Sequence, residues 1–303
     1  MKRFWFIIGL TLLFSLLLSA CQMQSPAQTG NEKPVVFVSI LPQKYFVERI
    51  AGDSLQVVVM VEPGAEPHTY EPKPAQMQTL AEADLYFSID APFETTWLNR
   101  IAELNPDMKV INTAAGITKR LLLEHDHEEE DSEEAHAEEE ASEQDPHIWL
   151  SPRLVILQAQ QIHAALIAHY PQQSASYTEN LNDFLADIEA LDENLKATLG
   201  NLRSNSFIVY HPSWGYFADD YGLVEIAVEI GGTEPSASEL AALIDLAKAE
   251  DIHVIFAQPE FNVRSAETLA EEIDGQVILI SPLAENWLDN LSEVGTALSL
   301  GLK

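Results

Sequence analysis

Short apolar runs rich in β-branched residues alternate along this chain with stretches of helical spacing, and that alternation limits the fold more than any single motif does. Residues 35–40 (Val-Val-Phe-Val-Ser-Ile), 57–61, 84–89 and 108–111 are such runs, while 43–51 and 93–104 read as helices. A run that is apolar at consecutive positions suits a strand buried on both faces, and its alternation with helices implies βα units and a parallel sheet. A second set follows, with strands expected near 207–210, 224–230, 253–257 and 277–280 and helices near 236–249 and 264–273. Between the sets lie two long helical patterns. The first, 152–170, has Pro152 at the permissive first-turn position and Pro171 as its stop. The second, 174–202, places Leu181, Phe184, Leu185, Ile188, Leu191, Leu195 and Leu199 at helical spacing. At 1.5 Å per residue it would span about 40 Å, enough to run the length of a domain and join two lobes. The expected fold class is therefore α/β: two lobes with parallel sheets joined by one long backbone helix. A length of 303 residues, beyond the usual single-domain size, agrees with two domains or one bilobed one.

Charge narrows the function. With 16 Lys+Arg against 48 Asp+Glu the net charge is −32, which repels a phosphate backbone and excludes sequence-independent nucleic-acid binding. The charge is unevenly spread. Residues 124–145 hold 13 of the 48 acids and no base, together with His125, His127 and His136, which leaves −19 for the rest of the chain. That segment reads either as a weak, mobile metal collector or as a solvated low-complexity tract. Histidines interspersed with carboxylates favour the collector, an auxiliary metal loop without ordered structure.

The N-terminus carries an export pattern. Met1-Lys2-Arg3 precedes an apolar run over 4–20 that is slightly short for a membrane span and ends in small residues rather than a basic cluster. Leu18-Ser19-Ala20-Cys21 resembles the bacterial lipobox, where cleavage precedes an acylated cysteine. Cys21 is the one cysteine of the chain, so it forms no internal disulfide, and acylation would hold the protein to a membrane surface. The expected organisation is a signal peptide over 1–20 and a lipidated flexible tether over 21–33. An N-terminal α/β lobe over 34–173 follows, with its acidic loop at about 119–144. A linking helix over 174–202 and a C-terminal α/β lobe over 203–303 complete the chain.

Nine histidines beside one cysteine point to imidazole and carboxylate ligation if a metal binds. His68 lies in the loop Glu62-Pro63-Gly64-Ala65-Glu66-Pro67-His68-Thr69-Tyr70-Glu71-Pro72, directly after the second apolar run, and its prolines stiffen it. His147 lies in Asp145-Pro146-His147-Ile148-Trp149-Leu150-Ser151-Pro152, where Asp145 could orient its ring. His211 follows the strand at 207–210 and precedes Pro212-Ser213-Trp214-Gly215-Tyr216-Phe217. Positions beyond the carboxyl ends of parallel strands are where open α/β sheets place ligands. His163 and His169, six apart on a helix, do not share a face, and His253 opens an apolar strand; these three read as ordinary packed or edge residues. Tyr70, Trp149, Trp214, Tyr216 and Phe217 read as aromatic packing that supports the loops.

These three segments resemble the ligand segments of the metal-specific (cluster A-I, or cluster 9) solute-binding proteins of bacterial ABC importers, the zinc-uptake ZnuA-like lipoproteins in particular. The resemblance runs from about Pro34 to Lys303 and includes Glu234-Pro235-Ser236 and Ser281-Pro282-Leu283. It implies a two-lobed clamp on a long helix, with one metal in the cleft and His68, His147 and His211 as its ligands. Many members carry an aspartate ligand where this chain has Ser281, a poor metal ligand. The fourth position then falls to water or to Glu66 or Glu260. Three imidazoles favour zinc, whereas manganese sites in related proteins lean on carboxylates.

The resemblance also implies the partners: an ABC permease with its ATPase, and a membrane reached through the lipid anchor, for a monomeric, exported binding protein that is not an enzyme. The alternatives are a manganese importer component or adhesin of the same fold, and a zinc hydrolase. Neither a His-Glu-x-x-His helix nor a nucleophile elbow supports the last.

Overall fold

The computed structural model describes residues 33–122, 144–229, 233–261 and 263–302. The expected signal peptide, Cys21 and the loop histidines His125, His127 and His136 lie outside these residues.

The first half runs β1 (Val35–Val38), α1 (Leu41–Ala51), β2 (Gln56–Val59), α2 (Pro74–Leu80), β3 (Leu85–Ser88), α3 (Pro92–Leu104) and β4 (Lys109–Asn112). Its four strands pair in parallel in the order β2-β1-β3-β4. The second half runs β5 (Ser206–Val209), α6 (Gly215–Tyr221), β6 (Val224–Ala227), α7 (Ala237–Ala249), β7 (Val254–Ala257), α8 (Arg264–Glu272), β8 (Gln276–Leu279) and α9 (Trp287–Gly301). Here the order is β6-β5-β7-β8, again all parallel, so the two sheets share one topology. The apolar runs outlast the strands because the pairing continues past their ends. Met60 and Val61, for example, still donate to Val38 O and Ser39 O at 2.9 Å each. The short helices α2 and α6 and the C-terminal α9 had no counterpart among the helical patterns read from the sequence.

Between the halves lie α4 (Pro152–His169) and α5 (Ser174–Leu199). Ser151 caps α4, its Oγ accepting from Leu154 N at 3.2 Å, with Pro152 at the first helical position. The 26 residues of α5 span about 39 Å. Its buried stripe of Tyr177, Leu181, Phe184, Ile188, Leu191, Leu195 and Leu199 lies in a helix that packs against α1 of the first half, against α4 and against α9 of the second half. Contact with α9 is close at Gly295, where an added Cβ would lie 2.3 Å from Leu195 Cδ2. One apolar core therefore runs from the first sheet through α5 to one face of the second, and a smaller core covers the second sheet's other face. The described residues from Pro34 onward belong to a single compact unit.

Both sheets have their topological switch beside the first strand of each half, and both fill it with a glutamine. Gln43 accepts from Ser39 N at 2.9 Å and donates to Thr113 Oγ1 at 3.1 Å. Gln258 accepts from His211 N at 3.1 Å and donates back to His211 O at 2.7 Å. The crevice is thus closed by buried polar contacts in one lobe and presents a histidine in the other.

Candidate metal centre

His68, His147 and His211 converge. One ring nitrogen from each lies within 4.8 Å of the other two, and no carboxylate joins the group among the described residues. Ring centroids are 5.0 Å apart for His68 and His211, 5.4 Å for His147 and His211, and 5.8 Å for His68 and His147. His147 and His211 are buried, and His68 is half-buried at the rim.

Each ring is held from its Nδ1 side by a carboxylate. Asp145 Oδ1 lies 2.8 Å from His147 Nδ1 and also takes the His147 backbone N–H at 2.9 Å. Glu66 Oε1 meets His68 Nδ1 in the same way and takes the His68 backbone N–H at 2.6 Å. Both segments read acid-Pro-His, and the acid two residues before the histidine forms a side-chain turn onto its N–H. His211 lacks that local device; its Nδ1 lies 3.0 Å from Glu229 Oε2, just beyond the end of β6. A carboxylate at Nδ1 accepts, so the ring proton sits there and the Nε2 lone pair is left for a metal. His211 Nε2 is buried and has no hydrogen-bond partner.

Glu66 therefore stands behind His68 as its hydrogen-bond acceptor. Burial would raise its carboxyl, but hydrogen bonds from His68 and Thr69 prevail and hold it at about 2. Glu260 is also occupied elsewhere, accepting from Ser281 Oγ at 2.5 Å, with Oε2 buried and unpartnered. Glu260 and Ser281 line a cleft of about 280 Å³ between the His68 loop and the second lobe, together with Glu62, Pro63, Gly64 and Leu283. For His147, burial dominates and pulls its pKa down to about 4, against the pull of Asp145 and with the neighbouring His211 and His68.

The surroundings restrain the rings further. Phe261 stacks on His211 at 4.4 Å and 17°, and Trp149 lies 5.2 Å from His147. The His68 loop is tied to β2 through Gln76, which accepts from Tyr70 Oη at 2.6 Å and donates to Met60 O at 2.7 Å. Trp149 Nε1 donates to Pro282 O and Trp287 Nε1 to Trp149 O, each at 2.7 Å, so the His147 segment is stitched to the second lobe. His163, His169 and His253 contact Thr178, Tyr170 and Ile273 O, away from the cluster. Sequence reasoning missed Glu229, Gln258 and Phe261. Glu229 and Gln258 follow the carboxyl ends of β6 and β7, the same positional signal that marked His211.

Two similar lobes share one long helix, and imidazoles converge from loops of both, an arrangement of donors that can hold a metal ion. The chain belongs to the ZnuA family: the model for "zinc-uptake complex component A, periplasmic" matches residues 36–299. It is similar to a solved structure of ZnuA, at 41% identity and a TM-score of 0.82 over 90% of this chain and 100% of that one. A zinc-bound ZnuA deletion mutant is similar at 40% identity and a TM-score of 0.81, over 90% and 99%. The zinc-binding lipoprotein AdcA of Streptococcus pneumoniae serotype 4 is 30% identical over 89% of this chain and 54% of its own length. The chain thus spans about half the length of the streptococcal relatives it matches.

Proposed function

We propose that this chain is the extracytoplasmic zinc-binding component of an ABC importer. In this reading it captures Zn²⁺ through the Nε2 atoms of His68, His147 and His211 and hands it to a membrane permease driven by its ATPase. The observation that carries the reading is the convergence of three imidazoles from separated segments within 4.8 Å, each backed by its own carboxylate. In a tetrahedral site with Zn–N near 2.0–2.1 Å, ligand nitrogens lie about 3.3 Å apart, so binding draws the rings together by about 1.5 Å or less. Water completes the fourth position, since among the described residues no carboxylate lies within the group formed by the three imidazole nitrogens.

Zinc is favoured over manganese because the donors are three imidazoles with no carboxylate among them. Catalysis is disfavoured because Glu66, Asp145 and Glu229 each brace a ligand, which leaves none of them as a general base beside the metal. Similarity to named zinc-binding lipoproteins and to zinc-bound ZnuA supports the same assignment. The further parts of this reading are an anchor acylated at Cys21, an exported monomer at the membrane face, and a weak metal-collecting role for His125, His127 and His136.

Competition titration of the metal-free protein is the test. One tight zinc site, with manganese bound far more weakly, is the expected result; preference for manganese, or wild-type zinc affinity after His→Ala substitution at all three positions, refutes the reading.

A further inference from the structure

Arg120 stands beside the base of the acidic, His-bearing segment and reaches the second lobe. The base itself is closed by an antiparallel bridge between Leu121 and Gln144 and by Asp145 N donating to Arg120 O at 3.0 Å. Two further hydrogen bonds make this a closed ring. Arg120 N donates to Tyr216 Oη at 3.0 Å, and Tyr216 Oη donates to Asp145 O at 2.8 Å. Tyr216 belongs to α6, so the ring fastens the segment's base to the C-terminal lobe.

The side chain of Arg120 adds a second fastening. Its guanidinium lies over Gly215, where an added Cβ would be 1.4 Å from Nη1 and 2.4 Å from Cζ. It also lies 5.9 Å from the Tyr216 ring centroid and 3.6 Å from Asp219 Oδ2. Its Nε is 3.9 Å from Asp145 Oδ2, on the far side of the carboxylate whose Oδ1 holds both the N–H and the Nδ1 of His147. One planar cation thus sits between Asp145 and Asp219, in a slot that only a glycine at 215 leaves open. A lysine ammonium does not match the flat slot.

We propose that Arg120 is a positioning residue for the metal centre: it pins the outer oxygen of Asp145 against α6, so that the inner oxygen keeps the His147 ring aimed at His68 and His211. This deepens the zinc-binding reading and rests on His147 being a ligand. Asp145 is the partner one step behind the ligand, where removal typically changes affinity about 10- to 100-fold, and Arg120 acts through it, so its effect falls at or below the lower end of that range. Gly215 becomes part of the same device, because a methyl group there displaces the guanidinium while leaving its charge in the protein.

The test uses the full chain with Zn²⁺, an optical chelator to follow release, and NMR detection of the His147 Nδ1–H in the metal-free protein. Arg120→Gln and Gly215→Ala are each expected to release zinc about tenfold faster and to broaden or shift the Nδ1–H signal. The double variant should release it no faster than Arg120→Gln, because both changes act through one contact. Gly215→Ala keeps every atom of Arg120 and carries the test if Arg120→Gln does not fold. Wild-type release in a folded Arg120→Gln protein overturns the proposal, as does faster release with an unchanged Nδ1–H signal, or effects of the two variants that multiply. Wild-type zinc affinity in His147→Ala would instead sink the ligand reading and leave the Arg120 geometry untouched.

Discussion

The carboxylate of Asp145 holds His147 by two atoms at once, the backbone N–H at 2.9 Å and Nδ1 at 2.8 Å, from one oxygen two residues earlier. That geometry requires an acceptor at 145. Asp145→Asn can turn its amide N–H toward Nδ1, which moves the ring proton to Nε2 and blocks the ligand atom. Zinc affinity is expected to fall 10- to 100-fold, with one tight site still counted by titration. Glu229→Gln should act alike on His211. Unchanged affinity in both would mean that the carboxylates are bystanders.

Acidification supplies an independent check on the same histidine. Burial holds folded His147 at about 4, against about 6.5 in an unfolded chain. Between those values the unfolded state binds a proton that the folded state refuses. The contribution is therefore fully present above pH 6.5, is lost as pH falls through 4, and changes no further below that. The difference amounts to about 3 kcal/mol. In the metal-free protein, stability measured by urea denaturation should drop less between pH 6.5 and 4 in His147→Gln than in wild type. Equal drops would contradict the low value.

Much of this site was readable from local sequence, and the remainder was not because it depends on contacts between strands. Glu66-Pro67-His68 and Asp145-Pro146-His147 are the same device, and the acceptor role that local sequence suggests for Asp145 is the one it has at His147 Nδ1. Glu66, in the equivalent place, has the same two-residue spacing, which puts it at the Nδ1 side of His68. Glu229 serves His211 across 18 residues, because β5 and β6 pair in parallel and bring their carboxyl ends together. No local pattern announces that pairing. The parallel sheets followed from uniformly apolar runs, whereas α9 went unread although it buries Trp287, Leu291, Val294 and Leu298 against the rest of the fold.

The division between cleft and acidic loop makes a prediction about site counts. Leu121 and Gln144 already bridge the loop's base, so deleting 124–143 leaves its two ends adjacent. The shortened protein should keep one tight zinc site and lose only weak binding, as measured by calorimetry. Loss of the tight site would place a ligand inside the deleted segment.

The tie between the lobes can be loosened at a single atom. Trp149 is buried, and its Nε1 donates at 2.7 Å to Pro282 O, while its own carbonyl accepts from Trp287 Nε1. Trp149→Phe retains much of the apolar volume and the carbonyl but removes the indole N–H, leaving Pro282 O without that donor. An unsatisfied buried acceptor costs about 1–3 kcal/mol. The ring also lies 5.2 Å from His147, so the shift falls on a ligand as well as on the lobe contact. Thermal unfolding of the metal-free protein should move to lower temperature, and zinc should dissociate faster in stopped-flow release to a chelator. A Tm loss with unchanged release would assign Trp149 to stability alone and free the His147 segment from its dependence on the second lobe.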